Sequence, residues 1–214
     1  MYGKDSIRDF GWKEAKTGPH DYLLGTIMGV FEEYQIPNTA RILDAGCGGG
    51  YILSEFYKRA YRDIWGFDAS ESGIDIAKQA LAATNSRFEV HNAYHRELPS
   101  SFPQTDYDII LSVEVIEHMY SPMEYLNNVR YWLKEGGLLI MTTPYHGYIK
   151  NMITCLLNKF DRHFDPLQDG GHIKFFSRNT LSRLLEEAGI KPLAFHGSGR
   201  FPFLWKSMLI VGRK

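Results

Sequence analysis

Between positions 112 and 119 the sequence reads SVEVIEHM, and Glu114, Glu117 and His118 crowd two carboxylates and an imidazole into five positions. Side chains of these types can move protons as general acid or base, ligate a divalent cation, or cap the wet end of a structural element. An imidazole titrates near ~6.5, so His118 could take a proton from a hydroxyl close to neutral pH. Two carboxylates three positions apart repel by roughly 0.2–0.5 kcal/mol on a bare helix, and a cation between them would remove that cost. Oxygen ligands together with imidazole suit magnesium, manganese or zinc.

A second chemical stretch lies upstream, in ILDAGCGGG, with glycines at 46, 48, 49 and 50. Glycines let a backbone turn sharply and approach a ligand closely, with the amides of the following helix aimed at it. Asp44 stands two residues before the first glycine, and a second acid, Asp68, ends the next apolar run. An acid at that second position is placed to accept hydrogen bonds from ribose hydroxyls. Position 51 is tyrosine, so the G-x-G-x-x-G pattern of dinucleotide sites is not met.

The elements that must position these groups alternate. ARILDAG, IWGFDAS, RFEVHNA, YDIILSVEV and LLIMTTP read as strands. YILSEFYKRAY, SGIDIAKQALAA and SPMEYLNNVRYWLKEGG read as the helices between them, the last closed by its two glycines. β-α-β order with right-handed crossovers predicts an α/β, doubly wound, mostly parallel sheet with helices on both faces. SRNTLSRLLEEAGI is a helix with Ser177 as its cap and Gly189 at its end, and KPLAFHGSG and LWKSMLIVGRK form an antiparallel pair at one edge. The first segment, 1–38, is helical, with DYLLGTIMGVFEEY amphipathic and Pro37 stopping it. In such a sheet ligands sit beyond the carboxyl ends of the strands, where the first strand lies beside the fourth. SVEVIEHM leaves the fourth strand there, carrying Ser112 and Glu114 into the crevice.

The 214 residues are read as a single domain, 1–214, with an ordinary globular composition: 44% hydrophobic, 23% charged, formal net charge −1. The charge implies no nucleic acid, no run of ~20 apolar residues offers a membrane span, and two distant cysteines offer no disulfide framework. A cytoplasmic protein is expected. An insertion, 144–172, carries Ile149, Met152, Ile153, Leu156, Leu157 and Phe160 at helical spacing. Packing of that stripe against the domain is the first reading; a helical lid, or peripheral membrane contact through 148–160, are the alternatives. Tyr145, His146, Tyr148, His163 and His172 cluster around the insertion, and Trp12, His20 and Tyr22 precede the first strand.

At LDAGCGGG, GFDASESGI, VHNA and LKEGGLLIMTTP, in that order, the sequence resembles the class I S-adenosylmethionine-dependent methyltransferases over residues 40–214. The resemblance implies a Rossmann-like seven-stranded sheet whose last strand is antiparallel. It implies that Asp44 orients the methionine amino group, that Gly46, Cys47 and Gly48 pass its carboxylate, and that Asp68 holds the ribose with Ala69 beside the adenine. Asn92 and Ala93 match the loop at the adenine edge, where an aspartate is common in the family, and Ser112 lies beside the cofactor. EVIEH is similar to the E-x-x-E-H segment of two metal-using branches, the ubiquinone-biosynthesis O-methyltransferases and the small-RNA methyltransferases that modify a terminal ribose. In the latter a downstream histidine completes the ligand set, which here would be Glu114, Glu117, His118 and His172.

The function expected is therefore O-methylation of a small-molecule acceptor, aromatic or lipid-tailed, with His118 and Glu114 in the catalytic pocket. Metal-assisted methylation of RNA ribose is weakened by the neutral charge, and a nicotinamide oxidoreductase by Tyr51 and the missing Ser/Tyr-x-x-x-Lys pair. A non-catalytic cofactor-binding protein is the third alternative. Asp68→Ala should severely weaken S-adenosylmethionine binding in calorimetry, and an unchanged affinity would defeat the ribose assignment.

Overall fold

The computed structural model describes residues 11–16, 18–162, 167 and 171–214, with Arg162 described for its backbone alone. Seven strands form one sheet: β1 Ile42–Ala45, β2 Ile64–Asp68, β3 Arg87–Val90, β4 Tyr107–Val113, β5 Leu133–Pro144, β6 Lys191–Ser198 and β7 Ser207–Arg213. Their order is β3-β2-β1-β4-β5-β7-β6. β1, β2, β3, β4 and β5 run parallel to one another, and β7 is antiparallel to both β5 and β6. The expected reversed pair is present, inserted so that β7 lies inside and β6 at the edge.

Six α-helices accompany the sheet: α1 His20–Glu33, α2 Tyr51–Lys58, α3 Glu71–Ala80, α4 Pro122–Trp132, α5 Tyr148–Leu156 and α6 Arg178–Glu187. Alternation along each strand sends successive side chains to opposite faces, so the sheet has two cores. On one face Ile42, Ile109, Ile140 and Leu209 meet Ile27, Leu53 and Ile74 of α1, α2 and α3. On the other Leu43, Ile110, Leu139 and Ile210 meet Leu126, Trp132 and Leu181 of α4 and α6. Each fully buried side chain of this size stabilises the fold by ~1.5–3 kcal/mol. Local signals agree: Ser70 Oγ accepts from Gly73 N to cap α3, Ser177 and Thr180 form a capping box on α6, and Pro122 stands in the first turn of α4.

Four expectations are corrected. α4 does not run on through LKEGG; it ends at Trp132, and Leu133 is already extended and paired with Tyr107, because the glycines turn the chain within β5. The fourth strand stops at Val113, where Glu114 takes a left-handed φ of 55°. The N-terminal helix covers His20–Glu33 only; residues 1–10 lie outside the described residues, as does His163. The stripe on α5 does not pack on the domain. Leu156 and Leu157 are 78% and 56% exposed, while Lys150 and Thr154 are the buried residues of that helix. Periodicity identifies an apolar face but not what covers it, and here both sheet faces are already covered by the other helices. Among the described residues no helix is long and apolar enough to cross a membrane.

α4 is tied to the loop after β3 by Asn128, whose Nδ2 donates to Ala93 O at 3.0 Å and Tyr94 O at 2.9 Å. Asn128→Ala strands buried carbonyls and should cost about 2 kcal/mol, seen as a lower denaturation midpoint with an unchanged m-value.

Candidate functional site

The glycine loop leaves β1 and is pinned to the end of β2: Gly46 N and Cys47 N both donate to Phe67 O, at 2.8 and 2.9 Å. Gly46 and Gly48 have φ of 99° and 49°, and a Cβ on Gly46 would lie 2.5 Å from Val115 Cγ2. These two positions therefore require glycine. Trp12 closes the outer side, its N donating to Ser72 Oγ at 2.9 Å and its indole filling the space a side chain at Gly48 would need. His20 stacks on Tyr51 at the start of α2, with ring centroids 4.9 Å apart, and burial pushes its imidazole down to about 4.

Asp44 is 1% exposed and its Oδ1 has no hydrogen-bond partner among the described residues. Burial, with the Asp68 charge adding to it, raises its carboxyl to about 8. Asp68 accepts from Gly48 N and Ser70 N, both at 2.8 Å, which draws the glycine loop and the start of α3 together around one carboxylate. Ala69 sits between Asp68 and the cap of α3. Asn92 Oδ1 accepts from Tyr94 N at 3.0 Å, and buried Ala93 offers its carbonyl to Asn128. Ser112 is fully buried, its hydroxyl engaged by Tyr125 Oη at 2.9 Å; the same phenol donates to Ala45 O at 3.3 Å and so joins the ends of β1 and β4.

At the end of β4, Glu114 is held by a ring of hydroxyls. Its N donates to Thr142 Oγ1 at 3.0 Å, Thr142 Oγ1 donates to its Oε1 at 2.9 Å, and Ser207 Oγ donates to its Oε2 at 3.2 Å. Tyr22 Oη lies 3.1 Å from the same Ser207 hydroxyl. Burial lifts Glu114 to about 7, against the Thr142 and Ser207 hydrogen bonds that pull it down. Thr142 and Ser207 carried no sequence signal; they are brought here by the antiparallel register that pairs Thr142 with Leu209 and Pro144 with Ser207.

Glu117 and His118 lie on a single 3₁₀ turn, Ile116–His118. Glu117 O accepts from Ile173 N and Lys174 N at 2.9 and 3.0 Å, and this lays the segment with His172 against the turn. The His118 and His172 rings are 5.0 Å apart, and His172 Nε2 is 4.0 Å from Glu117 Oε1. His118 Nδ1 lies 3.2 Å from Gly171 O. Ligand atoms of Glu117, His118 and His172 all fall within 4.8 Å of one another; Glu114 is not in that group. Glu117 is fully buried, Thr143 Oγ1 donates to its Oε2 at 3.0 Å, and its Oε1 lacks a hydrogen-bond partner among the described residues. Burial and the nearby Glu114 charge hold its carboxyl well above the usual range. An orphaned carboxylate oxygen between two imidazoles suits a divalent cation. The remaining aromatics separate: His146 packs on Phe175 and Tyr145 on Trp205, while Tyr148 is 81% exposed.

A family model described as "Methyltransferase domain" matches residues 22–194. The chain is 30% identical over 190 residues to the ubiquinone biosynthesis O-methyltransferase of Ruegeria sp. (strain TM1040), covering 87% of this chain and 76% of that protein. It is 30% identical over 161 residues to the mitochondrial ubiquinone biosynthesis O-methyltransferase of Schizosaccharomyces pombe, covering 74% and 57%. Among solved structures, magnesium protoporphyrin IX methyltransferase from Synechocystis PCC 6803 with SAH bound superposes with a TM-score of 0.69 at 14% identity, over 100% of this chain and 90% of that one. The methyltransferase domain of bacterial CtHen1-CN gives 0.64 at 21% identity, over 90% and 97%; both are likenesses of fold. With the family model covering most of its length, a relative 30% identical over 87% of the chain, and a seven-stranded sheet with one reversed strand, the chain belongs to the S-adenosylmethionine-dependent methyltransferases.

Proposed function

We propose that this methyltransferase acts on an oxygen of a small-molecule acceptor, aromatic or lipid-tailed, with Glu114 as the group that takes the acceptor proton. The observation that carries the reading is a buried carboxylate near pH 7, clamped by two hydroxyls at the carboxyl end of β4. O-methyltransferase relatives support it.

S-adenosylmethionine supplies an electrophilic sulfonium methyl. On this reading Asp44, with its unpartnered buried oxygen, receives the methionine ammonium, and Gly46, Cys47 and Gly48 pass the methionine carboxylate. Asp68, which gathers the amides of Gly48 and Ser70, holds the ribose, and Ala69, Asn92 and Ala93 line the adenine side. Ser112 braces the crevice through Tyr125. With an acceptor hydroxyl aligned on the methyl group of bound cofactor, Glu114 would take the hydroxyl proton as the oxygen–carbon bond forms and the carbon–sulfur bond breaks, with Thr142 and Ser207 fixing the carboxylate.

A metal-assisted form of the same reaction is favoured by the Glu117, His118 and His172 cluster. A magnesium, manganese or zinc ion there would lower the pKa of the acceptor hydroxyl. Glu114, bonded to Thr142 and Ser207, is then base rather than ligand, which narrows the expected ligand set to three residues. The exposed α5 stripe supports peripheral contact with lipid in this reading, and liposome co-sedimentation tests it.

A panel of phenolic and catecholic acceptors with methyl-labelled cofactor is the direct test: label should appear on oxygen. Glu114→Gln should lower kcat by ~10²–10⁴ and remove the limb near pH 7 from the rate profile. Cofactor binding with no transfer to any hydroxyl defeats the proposal. If the cation is used, excess chelator abolishes turnover and one of the three metals restores it; full activity in chelator excludes that form.

Asp44 makes a separate prediction. Its folded-state pKa is raised from 3.8 to about 8, so its share of stability is complete at low pH and is lost as pH rises through that window. The Tm of cofactor-free protein should fall across it, by up to ~1.4 kcal/mol of stability per pH unit from this one group, and Asp44→Asn should flatten the slope.

A further inference from the structure

Two hydroxyls hold Glu114, and the arms they belong to lead to different places. The Thr142 arm closes back on Glu114, whose own N donates to Thr142 Oγ1 at 3.0 Å. The Ser207 arm leads outward, to the half-buried phenol of Tyr22 in the first turn of α1. Ser207 itself is 1% exposed, at the start of β7 opposite Pro144 of β5 and Ser198 of β6. A serine hydroxyl has a single hydrogen, and an ionised carboxylate can only accept. That hydrogen goes to Glu114 Oε2 at 3.2 Å, so at the 3.1 Å contact with Tyr22 Oη the serine accepts and the phenol donates. The chain therefore runs in one direction, from Tyr22 through Ser207 to Glu114. Donation into a hydroxyl polarises it and strengthens its onward bond by roughly 10–30%.

Contacts other than the phenol oxygen already fix Tyr22 in place. Its carbonyl accepts from Ser198 Oγ at 2.7 Å, Ser198 Oγ lies 2.8 Å from Thr26 Oγ1, and the Lys206 ammonium stands 4.9 Å from its ring centroid. Two residues earlier, His20 stacks on Tyr51, which follows the glycine loop. The first turn of α1 thus reaches both walls of the crevice, the glycine-loop side with His20 and the Glu114 side with Tyr22. A tyrosine needed only for packing is served by its ring, which lies against the core, and its oxygen has no reason to meet the serine that bonds to Glu114. Lys150 of α5 and Glu117 of the turn after β4 also act on Glu114, but through space, so neither fixes the plane of its carboxylate.

We propose that Tyr22 is a positioning residue for methyl transfer: by donating to Ser207 it fixes the direction of that hydroxyl, and through it the orientation of the Glu114 carboxylate. Without the phenol oxygen, Ser207 can turn its hydrogen elsewhere and Glu114 keeps Thr142 as its remaining clamp. The inference rests on the reading of Glu114 as the group that takes the acceptor proton, and adds to it the residue that sets that group from a different element.

Infrared difference spectra test this without an acceptor. At about pH 9, where a carboxyl raised to about 7 is ionised, wild type minus Glu114→Gln isolates the Glu114 carboxylate stretch. Ser207→Ala should shift that band, Tyr22→Phe should shift it the same way by less, and the double variant should match Ser207→Ala alone, because the phenol acts through the serine. An unmoved band in Tyr22→Phe, or a Tyr22→Phe shift that persists without Ser207, overturns the proposal. Should Tyr22→Phe not fold, Glu114→Gln decides: the chain loses its anionic end, and the NMR resonance of labelled Tyr22 Cζ must move, a fixed resonance overturning the proposal. With catechol as acceptor, Tyr22→Phe should lower kcat by roughly three- to tenfold, the worth of one neutral hydrogen bond, with KM and S-adenosylhomocysteine affinity unchanged. The expected band shifts with undiminished transfer by Glu114→Gln support Tyr22 as the residue that orients Glu114 and defeat Glu114 as the base. Loss of transfer in Glu114→Gln with no effect of Tyr22→Phe on band or kcat keeps the base and overturns Tyr22. The bands decide whether or not catechol is turned over.

Discussion

Side-by-side pairing of β1 with β4 is the constraint on which the site depends. The two strands are neighbours in space, Ile42 opposite Ile109 and Asp44 opposite Leu111, but the connections that follow them leave in opposite directions along the sheet. A crevice must open where their carboxyl ends separate. Tyr125 closes its floor by bonding to both strand ends. Asp44 and the glycine loop come from one wall, and Glu114 and the Glu117–His118 turn from the other. Any shift of one strand against the other would move the cofactor wall relative to the acceptor wall, and methyl transfer depends on that alignment.

The crevice is also where the molecule tolerates its least favourable electrostatics. Asp44, Glu114 and Glu117 are all raised by burial, and Asp44 and Glu117 each keep one carboxylate oxygen without a hydrogen-bond partner among the described residues. Lys150 is a buried cation held by a carbonyl instead of an acid. Unpaired buried charge is destabilising in an empty protein and becomes favourable when a ligand of the opposite sign arrives. The methionine ammonium answers Asp44 in this scheme, the acceptor hydroxyl answers Glu114, and a divalent cation or a retained proton answers Glu117.

The glycine loop was legible because its geometry is local: positive φ at Gly46 and Gly48 and close contacts at both leave few alternatives to glycine. Sheet class was legible because strand and helix periods alternate along the chain. Glu114, Glu117 and His118 drew notice as residue types, yet their neighbours divide them. Glu114 turns to Thr142 and Ser207, while Glu117 and His118 turn to His172. Thr142, Ser207 and Lys150 carried no signal, since a threonine in a strand and a lysine on an amphipathic helix are ordinary. The α5 stripe was misread for the complementary reason: its spacing is that of a packed helix, and only the occupancy of both sheet faces shows that nothing remains for it to cover.

By itself the amino-acid sequence determined the alternation of elements, the tight glycine turn and the acids at the ends of the first two strands, because each follows from backbone sterics and hydrophobic period over a few residues. Tertiary structure alone decided that hydroxyls hold Glu114, that two imidazoles stand beside Glu117, and that Lys150 faces inward. Those properties depend on burial and on partners distant in sequence, brought close by the antiparallel return of β7 and by the hydrogen bonds of Glu117 to the segment carrying His172.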